Sequence, residues 1–167
     1  TDRRSAGDTH MTHPEFIVAA YAQAQASGHI WPAFAACEAA EESAFGESQL
    51  AIRANNLFGL KAGRFTHDLP TIAMPTHEWV DGRLIPTTAI WPRFDSWAQA
   101  FDVRMEVLRG LAPEFEHYAA ALAATDGPTY VREVSKTWST DPNRAANVLA
   151  IHSEFAGCFV EAAAAAQ

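Results

Sequence analysis

The most informative stretch of the chain is residues 71–91, which read TIAMPTHEWVDGRLIPTTAIW. Two segments of apolar residues and threonines flank the dipeptide Asp81-Gly82, which favours the type I′ turn between antiparallel strands. Pro75 and Pro86 cannot donate a backbone hydrogen bond to a neighbouring strand, so both strands must be edge strands or bulged. The stretch therefore predicts a β-hairpin that forms a small exposed lobe.

Helices are predicted on both sides of this hairpin, which makes the chain an α+β protein dominated by helix. Thr12 and Glu15 have the spacing of a capping box and begin a helix over about 13–27. Pro32 stands in the first turn of a second, alanine-rich helix, which Gly46 ends. Further helices are predicted from Asp95 or Ser96 to about Leu111, after Pro113, near Pro128, and as one long last helix after Asp141-Pro142.

Size and charge limit the possible functions. The chain has 167 residues, 49% of them hydrophobic, which is enough for one domain with a continuous core. The 12 basic and 20 acidic residues give a net charge of −8, so we expect no nucleic-acid partner. No apolar run approaches the roughly 20 residues that span a bilayer, so no membrane insertion is expected.

The first residues have a different character from the rest. Residues 1–11 lack a hydrophobic signal-peptide core and helical periodicity, and are expected to be a disordered leader or a remnant of cloning or processing, with Met11 as a candidate natural start. The single domain is then expected over 12–167, without a Sec signal.

Acidic residues on the second helix are the first candidates for chemistry. Glu38 and Glu42 are four residues apart and share a helix face, where like charges repel. Repulsion, together with apolar neighbours, would raise the pKa of a carboxyl on this face, as a general acid requires. Glu42 also lies in the last turn, where the helix dipole disfavours a negative charge. Because that position costs stability, a functional role for Glu42 is the better explanation.

A second carboxylate lies on the hairpin. In an extended strand Thr76, Glu78 and Val80 share one face, and His77 and Trp79 the other. One acid on a helix and one on a hairpin, facing each other across a groove, is the arrangement that cleaves a glycosidic bond. Sugar rings stack on aromatic side chains, and several occur near these acids, namely Phe45, Phe58, Trp79, Trp91, Phe94 and Trp138.

Five motifs together resemble family 73 of the glycoside hydrolases, the bacterial and phage β-N-acetylglucosaminidases that include the peptidoglycan-hydrolase domain of the flagellar rod protein. The resemblance covers about residues 14–155 and implies a lysozyme-like fold, in which a helical lobe and a hairpin lobe enclose a glycan groove. It also implies hydrolysis of the β-1,4 bond after N-acetylglucosamine in peptidoglycan, without a cofactor or metal. The motifs, in order, are ESAFGES (42–48), NNLFGLK (55–61), HEWVDG (77–82), RFDSW (93–97) and WSTDPN (138–143).

The resemblance also implies roles for individual residues. Glu42 matches the general acid of the family, and Glu78 matches the hairpin residue proposed as the second carboxylate. Phe58 and Gly59 match the loop that lines the groove, and Asp141 matches the aspartate of the final motif. Substrate contacts are also expected from Phe45, Trp79 and Trp138.

Three positions depart from the family pattern. Trp138 stands where tyrosine is usual, and offers only its indole N–H as a donor. Ala44 stands where glycine is common, and Phe45 where tryptophan is common. The first departure bears on any step that would need a tyrosine hydroxyl.

Delivery and partners are expected from the resemblance as well. Some members of this fold lack a signal peptide because they are delivered by type VI secretion or released by phage lysis, and the resemblance implies action in the periplasm or cell wall. A delivered toxin would have an immunity protein that occludes the groove. The expected partners of this chain, a monomer, are therefore peptidoglycan strands and a cognate immunity protein.

Several alternatives stay open. A lytic transglycosylase would need one acid and no water, and a catalytically inactive module would only bind the cell wall. Weaker possibilities are a thiol hydrolase using Cys37 with His117 or His152, and a metal site at His67, Asp68 and His77. A disulfide between Cys37 and Cys158 is also possible.

Overall fold

The computed structural model describes residues 11–166, apart from the side chains of residues 78–80. The leader expected at residues 1–11 thus lies outside the described residues, except for Met11. Eight helices and two strands follow one another in this part of the chain: α1 (His13–Ala26), α2 (Pro32–Ser43), α3 (Gln49–Ala54), β1 (Thr71–Val80), β2 (Arg83–Pro92), α4 (Trp97–Leu111), α5 (Glu116–Leu122), α6 (Gly127–Trp138), α7 (Arg144–Glu154) and α8 (Ala156–Ala165).

Helices α1 and α2 form the centre of the helical lobe. The predicted capping box is confirmed, because the Thr12 N–H donates to the Glu15 carboxylate at 2.7 Å and the Thr12 hydroxyl oxygen accepts from the Glu15 N–H. Helix α1 buries Phe16 and Ile17, and α2 packs against both α1 and α7. The small side chains of α2 allow its neighbours to approach closely, and four alanines are fully buried, Ala35, Ala36, Ala39 and Ala40.

The hairpin lobe has the predicted turn. Asp81 and Gly82 have φ angles of 48° and 72°, the two positive values that a type I′ turn requires. Strands β1 and β2 pair only with each other in the described chain, so both are edge strands, as the prolines indicated. The base of the hairpin is tied to α3, because the Phe94 N–H donates to the Ala54 carbonyl at 2.8 Å. This attachment positions the hairpin relative to the helical lobe.

The C-terminal part confirms the predicted helices except the last one. Ser96, not Asp95, caps α4, through a hydrogen bond from the Gln99 N–H to its hydroxyl oxygen. The prediction of one long last helix is wrong, because Phe155 leaves the helical conformation with φ −101° and ψ 15°. Its ring is buried against Phe45, and this contact accompanies the break between α7 and α8.

The longest helix within residues 11–166 is α4, with 15 residues. Taken singly, none of these helices combines the length and the apolar composition that crossing a bilayer requires. Helices α7 and α8 meet the criteria only as a pair, and they are bent by 54° at their junction.

Candidate active site

Glu42 lies in the last turn of α2, and the backbone after it turns sharply. Ala44, Phe45 and Gly46 all have positive φ angles, of 51°, 55° and 82°. For Ala44 and Phe45 this conformation costs energy, because only glycine adopts it without strain. The Ser43 hydroxyl holds the turn, since it accepts from the Gly46 N–H at 2.8 Å and donates to the Ala39 carbonyl. Helix α2 therefore ends at Ser43, three residues before Gly46, and Glu42 is its second-to-last residue.

Arg144, at the start of α7, binds this carboxylate. Its Nε donates to Glu42 Oε1 at 2.6 Å, its Nη1 to the Ser135 hydroxyl at 2.9 Å, and its Nη2 to Glu38 Oε1 at 2.9 Å. The Arg144 side chain is 2% exposed, whereas the Glu42 side chain is 22% exposed. Glu42 is thus the member of this group that solvent or a ligand can reach.

Glu38 is fully buried and is held by three donors. Besides Arg144, Arg104 donates its Nη2 to Glu38 Oε1 at 2.8 Å, and the Tyr130 hydroxyl donates to Oε2 at 2.9 Å. Burial by itself would raise the pKa of Glu38, but Arg104, Arg144 and His29 outweigh it and hold the pKa below its ordinary value. Glu38 is therefore an ionised, structural carboxylate.

His29 and Tyr130 continue the network away from Glu42. The Nδ1 of His29 accepts from the Trp31 N–H at 3.1 Å, so the neutral ring carries its proton on Nε2, 3.4 Å from the Tyr130 hydroxyl. Burial lowers the pKa of His29 to about 4, against the opposing influence of Glu38. The histidine is thus uncharged at neutral pH.

This geometry corrects one prediction. Glu38 and Glu42 do share a face of α2, but the expected unopposed repulsion between them is wrong, because the guanidinium of Arg144 lies between the two carboxylates and binds both. Glu38 is also neutralised by Arg104. The group of Glu38, Glu42, Arg104 and Arg144 therefore pairs two carboxyl groups with two guanidinium groups.

Trp138 lies at the C-terminal end of α6, over Arg104. The Arg104 Cζ is 3.4 Å from the Trp138 ring centroid and 5.1 Å from that of Phe58, so the guanidinium contacts two aromatic rings. Two of its nitrogens, Nε and Nη1, have no hydrogen-bond partner among the described residues, and cation–π contact replaces such partners. The Trp138 face that covers Arg104 is not available to a sugar ring.

The NNLFG loop contains the two predicted groove residues, Phe58 and Gly59, of which the first is buried and the second is exposed. Phe58 is 1% exposed and packs edge-on against Phe101, so its side chain belongs to the core. Gly59 is exposed and has φ 62°, with open space where a Cβ would lie. The Asn56 side chain closes the loop by bonding both the N–H and the carbonyl of Leu60. A substrate contact in this loop therefore falls to its backbone near Gly59.

Phe45 and Asp141 border two different pockets. Phe45 stacks on His13 at 3.8 Å and lines a pocket of about 300 Å³ that also includes Trp97. Asp141 lines a polar pocket of about 530 Å³, which also includes Ser135, the partner of Arg144. The second pocket thus shares a side chain with the Glu42 network. Asp141 also shapes its own turn, because its carboxylate accepts from the Asn143 N–H at 2.8 Å.

The structure describes only the backbone of Glu78 and Trp79. In the ladder Glu78 pairs with Ile85 and Trp79 with Leu84, close to the turn at the hairpin tip. Their side chains lie outside the described part of the structure, so the prediction that Glu78 faces Glu42 stays a prediction.

Sequence reasoning missed Arg144, the partner of Glu42, and the buried residues that bind Arg144 and Glu38. Arg144, Arg104, Ser135 and Tyr130 come from three helices, and their convergence depends on tertiary packing. One signal was present: a glutamate within a helix of buried alanines needs a cation nearby. Arg144, directly after the TDPN segment, was a candidate for it.

The thiol and metal alternatives find no support. Burial and the charge of Glu38 raise the pKa of Cys37 to about 12, so its thiol is protonated at neutral pH. His117 binds Glu133, and His152 stacks on Phe34. Apart from residues 78–80, whose side chains are not described, residues 11–166 hold no group of three His, Cys, Asp or Glu side chains that could bind a metal. Cys37 and Cys158 are both free thiols, so the possible disulfide does not form.

Solved structures place this architecture in a known class. The catalytic domain of the autolysin Auto from Listeria monocytogenes superposes with a TM-score of 0.76 and 22% identity, over 90% of this chain and 88% of that one. A peptidoglycan hydrolase mutant from Sphingomonas sp. A1 gives 0.70 and 24%, over 89% and 99%. The glycoside hydrolase domain of Salmonella typhimurium FlgJ, truncated at its C-terminus, gives 0.67 and 21%, over 87% and 99%. The fold is therefore that of a lysozyme-like glycoside hydrolase domain.

The sequence comparison identifies the family within that class. Residues 18–156 match the glucosaminidase family model, described as mannosyl-glycoprotein endo-beta-N-acetylglucosaminidase. The exo-glucosaminidase LytG of Bacillus subtilis (strain 168) is 26% identical over 129 residues, which are 76% of this chain and 45% of LytG. The chain thus spans less than half the length of that relative. It belongs to the glucosaminidase family of glycoside hydrolases, as its motifs indicated.

Proposed function

We propose that this glycoside hydrolase cleaves the β-1,4 bond after N-acetylglucosamine in peptidoglycan, with Glu42 as its general acid. One observation carries the proposal: Glu42 is a partly exposed carboxylate at the end of a buried helix, and Arg144 binds only its Oε1. Among the side chains that the structure describes, no hydrogen-bond donor contacts Oε2. One oxygen is thus fixed, and the other is left to exchange a proton with a ligand.

The chemistry follows from this arrangement. A protonated Glu42 Oε2 donates its proton to the glycosidic oxygen as the bond from that oxygen to the anomeric carbon breaks. A water molecule then adds to the anomeric carbon and loses a proton to a carboxylate, so that a reducing N-acetylglucosamine end forms and the acid regains its proton. The family membership and the likeness to peptidoglycan hydrolases support this substrate.

Glu78 is proposed as the second carboxylate. Its backbone lies in β1, three residues before the tip turn, in a hairpin anchored to α3 through Phe94. From such a lobe a carboxylate can stabilise positive charge on the sugar or activate the water.

The remaining contacts are proposed from the residues near these acids. Trp138 is half-buried and is proposed to contact the sugar through its indole N–H, and Asp141 lines the polar pocket. Gly59 allows the backbone of its loop to approach a sugar closely, since no side chain stands there. Phe45 and Trp79 are proposed as further aromatic contacts.

The test is release of reducing sugar from purified peptidoglycan by wild type, Glu42→Gln, Glu78→Gln and Glu41→Gln. Glu41 is the matched control, because it lies beside Glu42 but binds Asn147 instead of Arg144. We expect Glu42→Gln to lose at least roughly 100-fold in rate and Glu41→Gln to match wild type. Near-normal activity of folded Glu42→Gln would show that another group is the acid. A wild type that sediments with cell walls but releases nothing would be a binding module.

Delivery and an immunity partner are proposed on the resemblance alone. A type VI effector or phage lysin of this family would act in the periplasm or cell wall, as a monomer. Expression directed to the periplasm should then stop growth, and co-expression of the product of a neighbouring gene should restore it. Unimpaired growth with active enzyme in the periplasm would contradict the toxin proposal.

A further inference from the structure

Arg144 uses all three of its guanidinium nitrogens, on three different side chains. Nε binds Glu42, Nη1 binds Ser135 and Nη2 binds Glu38, at 2.6, 2.9 and 2.9 Å. Glu38 and Ser135 come from α2 and α6, so two helices fix the orientation of the guanidinium. Arg144 thereby presents its Nε to Glu42 in one direction.

Glu42 has no other support of this kind. Its side chain has several rotatable bonds, is 22% exposed and accepts from no other donor among the described residues. Losing this rotational freedom costs free energy, which a short charge-assisted hydrogen bond offsets. The direction of the Glu42 carboxylate therefore depends on Arg144.

The position of Arg144 in its helix is unfavourable by itself. It is the first residue of α7, where the helix dipole disfavours a positive charge, and it is almost fully buried. The turn before it is built to present it there, since the Asp141 carboxylate binds the Asn143 N–H and the Asp141 carbonyl accepts from the Arg144 N–H. To bind two carboxylates one helical turn apart, a side chain needs several donors in a fixed planar arrangement. The guanidinium of arginine has this arrangement, and the ammonium of lysine does not.

We propose that Arg144 is the positioning residue of the active site: it holds Oε1 of Glu42 and so directs Oε2 to the scissile bond, while Glu38 and Ser135 hold Arg144 in place. This inference rests on the proposed role of Glu42 as the acid. It also gives the WSTDPN motif a function besides any substrate contact, because its turn places Arg144.

Steady-state kinetics on soluble peptidoglycan fragments tests the proposal with Arg144→Gln, Arg144→Lys and the exposed control Arg64→Gln. A misdirected acid slows the chemical step, so we expect kcat of Arg144→Gln to fall about 100-fold while KM stays within about twofold. Arg144→Lys keeps the positive charge but loses the planar guanidinium with its several donors, and should recover less than a tenth of wild-type kcat. Full recovery by lysine would show that charge, not direction, matters, and would overturn the proposal.

A milder variant covers the case in which Arg144 variants do not fold. Ser135→Ala removes one anchor of Arg144 without touching Glu42, and should lower kcat severalfold with KM unchanged, whereas Ser153→Ala on the exposed face of α7 should have no effect. Adding Ser135→Ala to Glu42→Gln should cause no further loss, because the anchor acts through Glu42. Full loss in Glu42→Gln with unchanged kcat in folded Arg144→Gln and Ser135→Ala would overturn only this inference. Normal activity of Glu42→Gln would overturn the proposed function itself.

Discussion

The indole ring of Trp138 covers the guanidinium of Arg104, with 3.4 Å between Arg104 Cζ and the ring centroid. Arg104 is completely buried, and two of its nitrogens have no hydrogen-bond partner in the described chain. Trp138 therefore stabilises a buried cation that also binds Glu38. The aromatic residue of the final motif is thus linked, through Arg104, Glu38 and Arg144, to Glu42.

Replacing this ring should destabilise the protein. Trp138→Phe weakens the cation–π contact and should lower the free energy of unfolding by about 1 kcal/mol, and Trp138→Ala by about 3 kcal/mol. Urea unfolding followed by circular dichroism measures both. Trp31→Phe is the control, since Trp31 is also half-buried and contacts Phe34 edge-on. An equal loss in Trp31→Phe and Trp138→Phe would contradict a special role for the Arg104 contact.

Removing the buried charge of Glu38 should cost more. Glu38→Gln leaves Arg104 and Arg144 without their shared carboxylate, and losing one partner of a buried ion pair typically costs about 3–5 kcal/mol. Glu41 is only half-buried on the same helix, so Glu41→Gln should change the free energy of unfolding by less than about 0.5 kcal/mol. Equal denaturation midpoints for the two variants would show that the buried network adds little stability.

Gly46 should resist substitution. Its φ is 82°, and a Cβ there would lie 2.9 Å from Cε2 of Phe16, a fully buried ring with little room to move. Gly46→Ala should therefore lose about 1–3 kcal/mol. Gly63→Ala is the matched control, because Gly63 has neither a positive φ nor a neighbour near its Cβ. Thermal melts that do not distinguish the two variants would contradict the close packing of Gly46 against Phe16.

His29 should make the protein less stable in mild acid. Burial lowers its pKa from 6.5 to about 4. Between these values the unfolded chain binds a proton that the folded chain does not, so stability is fully present above pH 6.5 and is lost as the pH falls towards 4. Over the full range from pH 6.5 to 4, the loss in the free energy of unfolding is roughly 3 kcal/mol.

Denaturant unfolding from pH 7 to 5 measures this effect, in wild type and in His29→Gln. This pH range lies above the more acidic range in which protonation of Glu38, whose pKa is lowered, would also change the stability. His152, whose pKa burial also lowers, adds a slope of the same sign in both proteins. A slope unchanged by His29→Gln would mean that His29 is not the group responsible.

The fold could be predicted from local sequence signals wherever local interactions determine it. Asp81-Gly82 specifies its turn through the backbone conformations these residues tolerate, and Thr12 with Glu15 specifies a helix start. The break at Phe155 was not predictable in this way, since it accompanies burial of a ring against Phe45, which is distant in sequence.

The same division applies to the site. Position in the helix and family motifs pointed to Glu42, because a carboxylate in a last helical turn is locally unfavourable. The partner of that carboxylate is Arg144, which is 102 residues away in sequence. Repulsion between Glu38 and Glu42 follows from helix geometry alone, and it is the tertiary contact with Arg144 that replaces repulsion by attraction.

The most direct test of the proposed function is mass spectrometry of the fragments that the wild-type protein releases from peptidoglycan, after borohydride reduction. If Glu42 drives hydrolysis after N-acetylglucosamine, every new end is a reduced N-acetylglucosamine, and Glu42→Gln forms none. Anhydro-muramyl ends would instead show a lytic transglycosylase, and reduced muramic acid ends would show cleavage of the other glycosidic bond. Either result would contradict the proposed glucosaminidase activity.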